Sequence, residues 1–419
     1  MTTQALTHLT SFLREHVPQQ YIAFCNDRLS LHMYAALSGL SPRMRPKNGN
    51  EQAVQNMTSR ESTVSELTRI WQDLLGVEPI SPDQNYFDLG GDSILAVQLF
   101  AQIEKVFQVK LPVATLFEAP TIEALAQILE REATTSGWSP LVPIQPNGSR
   151  PPFFCFHGAG GNVLIYRELA KHLGPDQPFY GLQSQGLDGT CAPLTKIEDM
   201  AALYVKELRR VQPHGPYFLG GYCGGGTIAY EAAQQLRGKG EQIALLALFD
   251  TSNWSKIQPP SLLPNSYYAL QRFIFHAANF FKLDSEGKRE FFREKRETLR
   301  TRIPVWRGML AARFSGAASP ESRILSEIWR ANDQACWNYV PKPYPGVVTD
   351  FRPIRQYRLF NKPDAKWDRL AQAGQQVVVL PVYPAGMILE PFVKHLADAL
   401  KKSMDDAIRR NQALQVTGA

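Results

Sequence analysis

The chain has 419 residues, of which 44% are hydrophobic and 20% are charged, and its formal net charge at pH 7 is +6. This length predicts two or three domains, and a modest charge without a dense stripe of Lys and Arg among aromatics argues against nucleic-acid binding. Five scattered cysteines without metal-ligand spacing predict neither a disulfide framework nor a metal site. The sequence shows no signal peptide and no apolar run that could cross a bilayer, so we expect a cytoplasmic protein without membrane association.

The first third of the chain divides into two segments of different character. Residues 1–60 form a poorly defined N-terminal segment. Residues 61–133 instead carry apolar side chains at helical spacing, and turn residues separate the helical stretches. Two long stretches are followed by two shorter ones, at 113–117 and 122–129. The pattern predicts a four-helix bundle.

The start of the second predicted helix carries the motif Asp-Leu-Gly-Gly-Asp-Ser-Ile at residues 88–94. This motif resembles the attachment site of acyl and peptidyl carrier proteins, and the resemblance covers residues 62–133. It implies that a phosphopantetheinyl transferase esterifies Ser93 with 4′-phosphopantetheine. The phosphate of the arm would lie beside the positive end of the helix. Asp88 and Asp92 would offer an acidic rim to a basic modifying enzyme, although an Asp-Ser pair is also an ordinary helix N-cap.

The sequence of residues 134–149 predicts a linker, and that of residues 150–404 predicts an α/β domain. Strand-like apolar runs alternate with helical periodicity in the first half of this domain, which is typical of a mostly parallel sheet covered on both faces. Ligands bind at the carboxyl ends of such strands. Residues 157–162, Cys223 and Asp250 all follow predicted strands, so the sequence predicts a functional site there.

The stretch Gly-Tyr-Cys-Gly-Gly-Gly at residues 221–226 lies between a strand-like run and a helix-like run. This is the context of a nucleophile elbow, with cysteine where serine is usual. Side chains at Gly221 or Gly225 would clash with the neighbouring chain. At a helix N-terminus the backbone dipole stabilises a thiolate, so we expect a lowered pKa for the Cys223 thiol. The alternative is a small buried cysteine in a glycine-rich turn.

The alternation of strands and helices stops between residues 252 and 338. This segment has helical periodicity and many aromatic side chains. Its position predicts a helical lid over the site, and the alternative is a helical insertion with a small core of its own. A last helix is predicted to end near residue 404, and the charged residues 405–419 predict a mobile tail.

Residues 151–402 resemble the thioesterase domains of non-ribosomal peptide and polyketide synthases, which have the α/β-hydrolase fold. A carrier domain followed by such a domain resembles the termination module of these assembly lines. The resemblance implies that Cys223 attacks the carrier-bound thioester, while the backbone N–H groups of Gly224 and Ala159 hold the oxyanion. It also implies that Asp250 is the triad acid, although Asp250 could instead cap the start of the insertion.

The general base is where this sequence departs from the family. The family has a histidine shortly before the stretch that matches Met-Ile-Leu-Glu-Pro, and Pro384 occupies that place here. His395 comes too late in the last helix, and His157 belongs to the oxyanion loop, where a structural role is usual. His276 in the predicted lid is the remaining candidate, so the base is unknown. A thiol depends on a base less than a hydroxyl does, because part of it is ionised at neutral pH.

The sequence predicts an enzyme, a thioesterase or acyltransferase acting on carrier-bound thioesters. It would release or transfer an acyl or aminoacyl group from its own carrier domain through an acyl-Cys223 intermediate, in secondary-metabolite biosynthesis. The expected partners are a phosphopantetheinyl transferase and upstream loading or synthetase enzymes. Two alternatives stay open: a non-catalytic carrier platform with a degenerate hydrolase fold, and a cyclase or condensing acyltransferase.

Overall fold

The computed structural model describes the following residues: 59–91, 93–131, 138–254, 285, 289, 320–353, 367–382, 387–390 and 392–416. The N-terminal segment to residue 58, His276 and Pro384 lie outside the described residues. The chain divides into two compact units. The helical unit contains the described residues up to Ser139 together with 285, 289 and 320–326, and the α/β unit contains those from Pro140 to Trp254 and from Glu327 onward.

The helical unit contains the helices α1 (Ser59–Leu75), α2 (Ser93–Phe107), α3 (Thr115–Glu118) and α4 (Ile122–Arg131). The apolar positions of these helices meet in one small core, in which Leu67, Trp71, Leu99 and Leu125 have no exposed surface. The ring of Trp71 packs edge-on against Tyr86 with centroids 5.2 Å apart. Burial of apolar area at helical spacing therefore stabilises these short helices, which alone would be marginal.

The α/β unit is built on a seven-stranded sheet with the order β1-β3-β2-β4-β5-β6-β7 among the described residues. Its strands are β1 (Leu141–Gln145), β2 (Phe153–Phe156), β3 (Phe179–Leu182), β4 (Tyr217–Tyr222), β5 (Ile243–Phe249), β6 (Val348–Pro353) and β7 (Gln375–Leu380). All neighbouring pairs are parallel except β1 with β3. Every residue of β2 is buried, as expected for a sheet covered on both faces. The predicted mostly parallel sheet is confirmed.

The sheet is covered by α5 (Arg167–Leu173), α6 (Ile197–Val211), α7 (Gly224–Gly238) and α9 (Val393–Val416), and a short 3₁₀ turn at Leu164–Tyr166 precedes α5. Helix α8 (Pro320–Asn338) contributes Ala335 and Cys336 to the core of the α/β unit. Helix α7 packs against α6 and against β4, and α9 packs against α5 and β5. No described helix is long and apolar enough to cross a membrane.

Two predicted boundaries of the α/β unit are wrong. Strand β1 lies inside residues 134–149, which the sequence predicted as a linker, and it pairs with β3. Helix α9 continues to Val416, although the sequence predicted a mobile tail from residue 405. The extension is packed, because Ala407 is 1% exposed and Asp405 forms an ion pair with Arg150.

Candidate active site

Cys223 lies on a strained turn at the centre of the sheet. Strand β4 ends at Tyr222 and helix α7 begins at Gly224, so Cys223 alone makes the connection. Its backbone has φ 55° and ψ −119°, a conformation that costs a non-glycine residue on the order of 1–3 kcal/mol. A hydrogen bond of 3.0 Å from the Cys223 N–H to the Phe249 carbonyl fixes the turn. This geometry is that of a nucleophile elbow.

The glycines around Cys223 allow neighbouring chain segments to approach it closely. A Cβ atom on Gly225 would overlap the Phe156 carbonyl oxygen and lie 2.7 Å from that of His157. A Cβ atom on Gly221 would overlap the backbone of Gly225, and one on Gly226 would overlap the side chain of Thr251. The clash predicted at Gly221 and Gly225 is therefore present.

The loop after β2 lies beside the elbow. The Ala159 nitrogen is 4.0 Å from the position that a Cβ atom on Gly224 would occupy. The Tyr166 hydroxyl joins the two strands, because it donates to the Phe156 carbonyl at 2.6 Å and accepts from the Tyr222 N–H at 3.0 Å. The two N–H groups that the sequence assigned to an oxyanion hole, those of Gly224 and Ala159, thus belong to neighbouring segments.

The thiol of Cys223 is less acidic than the sequence predicted. Cys223 is partly exposed, yet burial raises the pKa of its thiol well above the usual value, and the nearby carboxyls of Asp333 and Asp250 raise it further. The Gly224 N–H lowers this pKa but does not compensate. The expectation of a lowered thiol pKa is therefore wrong, because the desolvation of a thiolate outweighs the helix terminus.

Asp250 follows β5 directly, as predicted. Its φ is 45°, and its N–H donates to the Phe351 carbonyl at 2.9 Å. Its carboxyl is close enough to Cys223 to act on the pKa of the thiol. The sheet thus brings together Cys223 and Asp250 at the carboxyl ends of β4 and β5, which are neighbours in the sheet.

His157 is not free to act as a base. Its Nδ1 lies 2.7 Å from the Gly158 carbonyl and its Nε2 lies 2.7 Å from the Tyr204 hydroxyl. Burial lowers the pKa of the ring to about 4, although the Gly158 carbonyl opposes this shift. His157 is therefore a neutral residue that holds the loop after β2.

Acid should destabilise the α/β unit through His157. Since the folded ring stays neutral from its ordinary pKa of 6.5 down to about 4, the unfolded state binds more protons in this window. The corresponding loss of stability on acidification is roughly 3 kcal/mol. We expect the stability advantage of the wild type over His157→Gln, measured by calorimetry from neutral pH down to about pH 4, to shrink by this amount. An advantage that does not change with pH would contradict a buried neutral ring.

The other described histidines lie at the surface. The Nε2 atom of His172 lies 2.7 Å from the Glu390 carboxylate. Among the described residues, these two side chains and Glu168 form a cluster whose ligand atoms are close enough together to hold a metal ion. His214 and His395 are exposed. None of the described histidines acts on the pKa of the Cys223 thiol. No imidazole among the described residues therefore replaces the expected triad histidine.

Helix α8 supplies neighbours of Cys223 that the sequence did not identify. The Asn332 side chain donates to the Ala159 carbonyl at 3.0 Å. The Cys336 sulfur lies 3.0 Å from the position of a Cβ atom on Gly224. Asp333 is 3% exposed on the same helix. The sequence signal that could have identified these neighbours is the polar pair Asn332 and Asp333 on the inner face of an amphipathic helix. Charged residues are almost never fully buried unless they are paired, so such a pair indicates a functional position.

In the helical unit, the segment before Ser93 is a tight turn. The N–H groups of Leu89, Gly90 and Gly91 bond back to residues 85–87, and a Cβ atom on Gly91 would overlap the ring of Tyr86. Ser93 is the first residue of α2. The first N–H groups of a helix have no partner within it, so this end suits a phosphate ester. The turn therefore fits a phosphopantetheine arm on Ser93, with Asp88 exposed beside it.

The comparisons with known proteins agree with both units. A phosphopantetheine attachment site matches residues 65–129, and a thioesterase domain matches residues 151–266. The chain is 42% identical over 185 residues to the dimodular nonribosomal peptide synthase of Bacillus subtilis (strain 168), and this match covers 44% of this chain and 8% of that protein. It is 41% identical over 179 residues to the indigoidine synthase of Dickeya dadantii (strain 3937), covering 43% and 12% respectively.

A solved structure is similar over most of the chain. The crystal structure of a holo four-domain nonribosomal peptide synthetase bound to AMP and glycine matches with a TM-score of 0.51 at 26% identity, covering 87% of this chain and 28% of that one. The chain spans only a small part of the length of each of these relatives. The fold and the site define a carrier domain with a phosphopantetheine attachment site followed by a thioesterase domain. The chain thus carries a carrier–thioesterase didomain of the nonribosomal peptide synthetase type, which confirms the resemblance found in the sequence.

Proposed function

We propose that this protein releases or transfers an acyl or aminoacyl group from its own carrier domain through an acyl-Cys223 intermediate, in secondary-metabolite biosynthesis. The observation that carries the proposal is the strained elbow, which places the partly exposed Cys223 next to the Gly224 N–H and close to the loop that carries Ala159. Strain at a non-glycine residue persists only where the surrounding structure imposes it, and it is concentrated at functional sites.

The mechanism uses the residues of the elbow in sequence. The phosphopantetheine arm on Ser93 supplies the thiol that carries the acyl group as a thioester. Cys223 attacks the carbonyl carbon of this thioester, and the N–H groups of Gly224 and Ala159 stabilise the oxyanion. Losing one such donor typically costs about 10²–10³-fold in rate. Since one thioester replaces another, the acylation of Cys223 is nearly balanced in energy. Release then requires water or another nucleophile.

The remaining assignments complete the proposal. Asp250 would act as an acidic neighbour of the nucleophile, and residues 252–338 would form a lid over it. The proposed domains are the carrier at 61–133 and the thioesterase at 150–404, extended here to the end of α9. A phosphopantetheinyl transferase would modify Ser93, and upstream loading or synthetase enzymes would supply the acyl group in the cytoplasm.

A non-catalytic platform is the second candidate function. The raised pKa of the Cys223 thiol and the lack of an imidazole beside it among the described residues favour this candidate. In this case the carrier would present its cargo to other enzymes. A cyclase or condensing acyltransferase would use the same acyl-Cys223 intermediate and differs only in the released product.

Mass spectrometry of the loaded full chain tests the proposal. A phosphopantetheinyl transferase would load Ser93 from a series of acyl- and aminoacyl-coenzyme A donors, and peptide analysis would then locate the acyl group. We expect the group to move from Ser93 to Cys223 in the wild type and to stay on Ser93 in Cys223→Ala. Ser93→Ala is the control that should not be loaded. An acyl group that stays on Ser93 in the wild type with every donor would leave only the platform.

A further inference from the structure

The carboxyl of Asp333 is buried, and neither the elbow nor the oxyanion loop explains its burial. It is 3% exposed, and no described residue donates a hydrogen bond to either of its carboxyl oxygens. The indole N–H of Trp329, one turn earlier, favours the ionised form but does not reach hydrogen-bond geometry. A buried carboxyl without a partner is costly, so its retention at this place calls for a functional explanation.

The position of Asp333 on α8 directs it towards the nucleophile. Residues three and four apart share one face of a helix, so Asp333 lies on the face of Trp329 and Cys336. A Cβ atom on Gly160 would lie 3.3 Å from the ring of Trp329, and one on Gly224 would lie 3.0 Å from the sulfur of Cys336. The face that carries Asp333 is thus packed against the oxyanion loop and against the residue after Cys223.

We propose that Asp333 is the proton acceptor and donor for Cys223, in the role that a histidine has in the family. The proposal rests on the acyl-Cys223 mechanism above and names a group that this mechanism lacks. It makes Asp333 a catalytic residue, because the transferred proton would pass between its carboxyl and the reacting sulfur. The two groups interact electrostatically but form no hydrogen bond in this structure, so the transfer requires them to approach to hydrogen-bond distance when the acyl group binds.

The proton and the bonds balance in each step. During acylation the Asp333 carboxylate takes the thiol proton while the sulfur–carbon bond forms. When the tetrahedral intermediate collapses, the old carbon–sulfur bond breaks and the Asp333 carboxyl protonates the leaving thiolate. During release the carboxylate takes a proton from water or from another nucleophile, and returns it to the Cys223 sulfur as the acyl group leaves.

The electrostatics of the site suit this exchange. Burial raises the pKa of Asp333 well above its usual value, which makes its carboxylate a stronger base. Among the described residues, the titratable groups that interact with this pair are Cys336, Asp250 and the buried Tyr166. Since Asp333 and Cys223 each disfavour the charge of the other, the two groups titrate as a coupled pair.

Asp333→Asn in the full chain tests the proposal, because amide and acid have the same shape. Two rates would be measured over a range of pH: alkylation of Cys223 by iodoacetamide, located by peptide mass spectrometry, and acylation of Cys223 by acetyl-N-acetylcysteamine. Loss of the neighbouring carboxyl lowers the pKa of the thiol, so alkylation should extend to lower pH. Acylation should nevertheless slow by about 10²-fold or more, the usual effect of losing a general base.

The opposite movement of the two rates distinguishes proton transfer from a purely electrostatic or structural role. Glu327→Gln is the matched control, since it removes an exposed carboxyl from the same helix and should change neither rate. If Asp333→Asn keeps its acylation rate, or raises it together with alkylation, Asp333 is not the proton acceptor. If the wild type itself is not acylated, the proposed function fails as well, and the two failures are distinct.

The wild type alone gives a further test that does not depend on the folding of a variant. With Asp333 as acceptor, acylation should proceed at pH values below those at which alkylation reports a thiolate. Coincident pH profiles for the two reactions would show that acylation needs a free thiolate, and would overturn the proposal.

Discussion

Cys223→Ser should lose acyl transfer by at least about 10²-fold, at the lower end of what a general base contributes. A hydroxyl has to give up its proton during attack, and no described imidazole is present to take it. Even for the more acidic thiol, burial raises the pKa in this site, so a hydroxyl at the same place is still harder to ionise. The measurement is the movement of the acyl group from Ser93 to residue 223, followed by intact-protein and peptide mass spectrometry.

The serine variant also tests the part of the chain outside the described residues. Cys191→Ser, which changes an exposed cysteine, is the control and should keep the wild-type rate. An active Cys223→Ser protein would mean that a base strong enough for a hydroxyl acts at the elbow. Asp333→Asn added to the serine variant would abolish the remaining activity if Asp333 is this base, and His276→Ala would do so if it is His276, the candidate that the sequence offers.

The elbow could be predicted from the sequence because its constraint is local. The close approaches at Gly221 and Gly225 require glycine, and this requirement leaves a spacing that can be read directly. The strand pattern before the elbow and the helix pattern after it predicted the order of strand, turn and helix. The same holds for β5, whose apolar run Ile243–Phe249 matches the structure residue for residue.

The missed elements depend on contacts between distant residues. Strand β1 contains Pro143, which suits an edge strand but suggests a linker when only the sequence is considered. The end of α9 is rich in charge, and only its packing shows that Met404 and Ala407 belong to the core. A charged surface around a narrow apolar stripe does not distinguish a docked helix from a tail.

The acidity of Cys223 could not be predicted because opposing effects act on it. The sequence shows the helix terminus, which favours the thiolate, but not the desolvation that opposes it. It also shows no reason to bring Asp333, 110 positions further along the chain, near this sulfur. The raised pKa of the thiol therefore depends on burial and on carboxyls from other segments of the chain, whereas the elbow alone suggested a reactive thiolate.

Gly225→Ala should disrupt both the stability and the chemistry of the thioesterase domain. The added methyl group would overlap the Phe156 carbonyl oxygen, and the backbone of β2 cannot turn away without breaking its pairing with β3 and β4. We expect a cost of about 3 kcal/mol or more, at the upper end of the range for overpacking. Acylation of Cys223 should fall in parallel, because the loop that carries Ala159 follows directly after β2. Calorimetry and acyl transfer from Ser93 would measure the two effects.

Gly238→Ala is the matched control for this prediction. Gly238 ends the same helix, α7, and a Cβ atom there would have no neighbour within 4 Å. Alanine is favoured over glycine in a helix by up to about 1 kcal/mol, so this variant should be as stable as the wild type or more stable, with unchanged acyl transfer. Equal behaviour of the two variants would mean that Gly225 does not lie against β2. The close approach of the two segments at the elbow, and with it the oxyanion hole proposed for Gly224 and Ala159, would then be wrong.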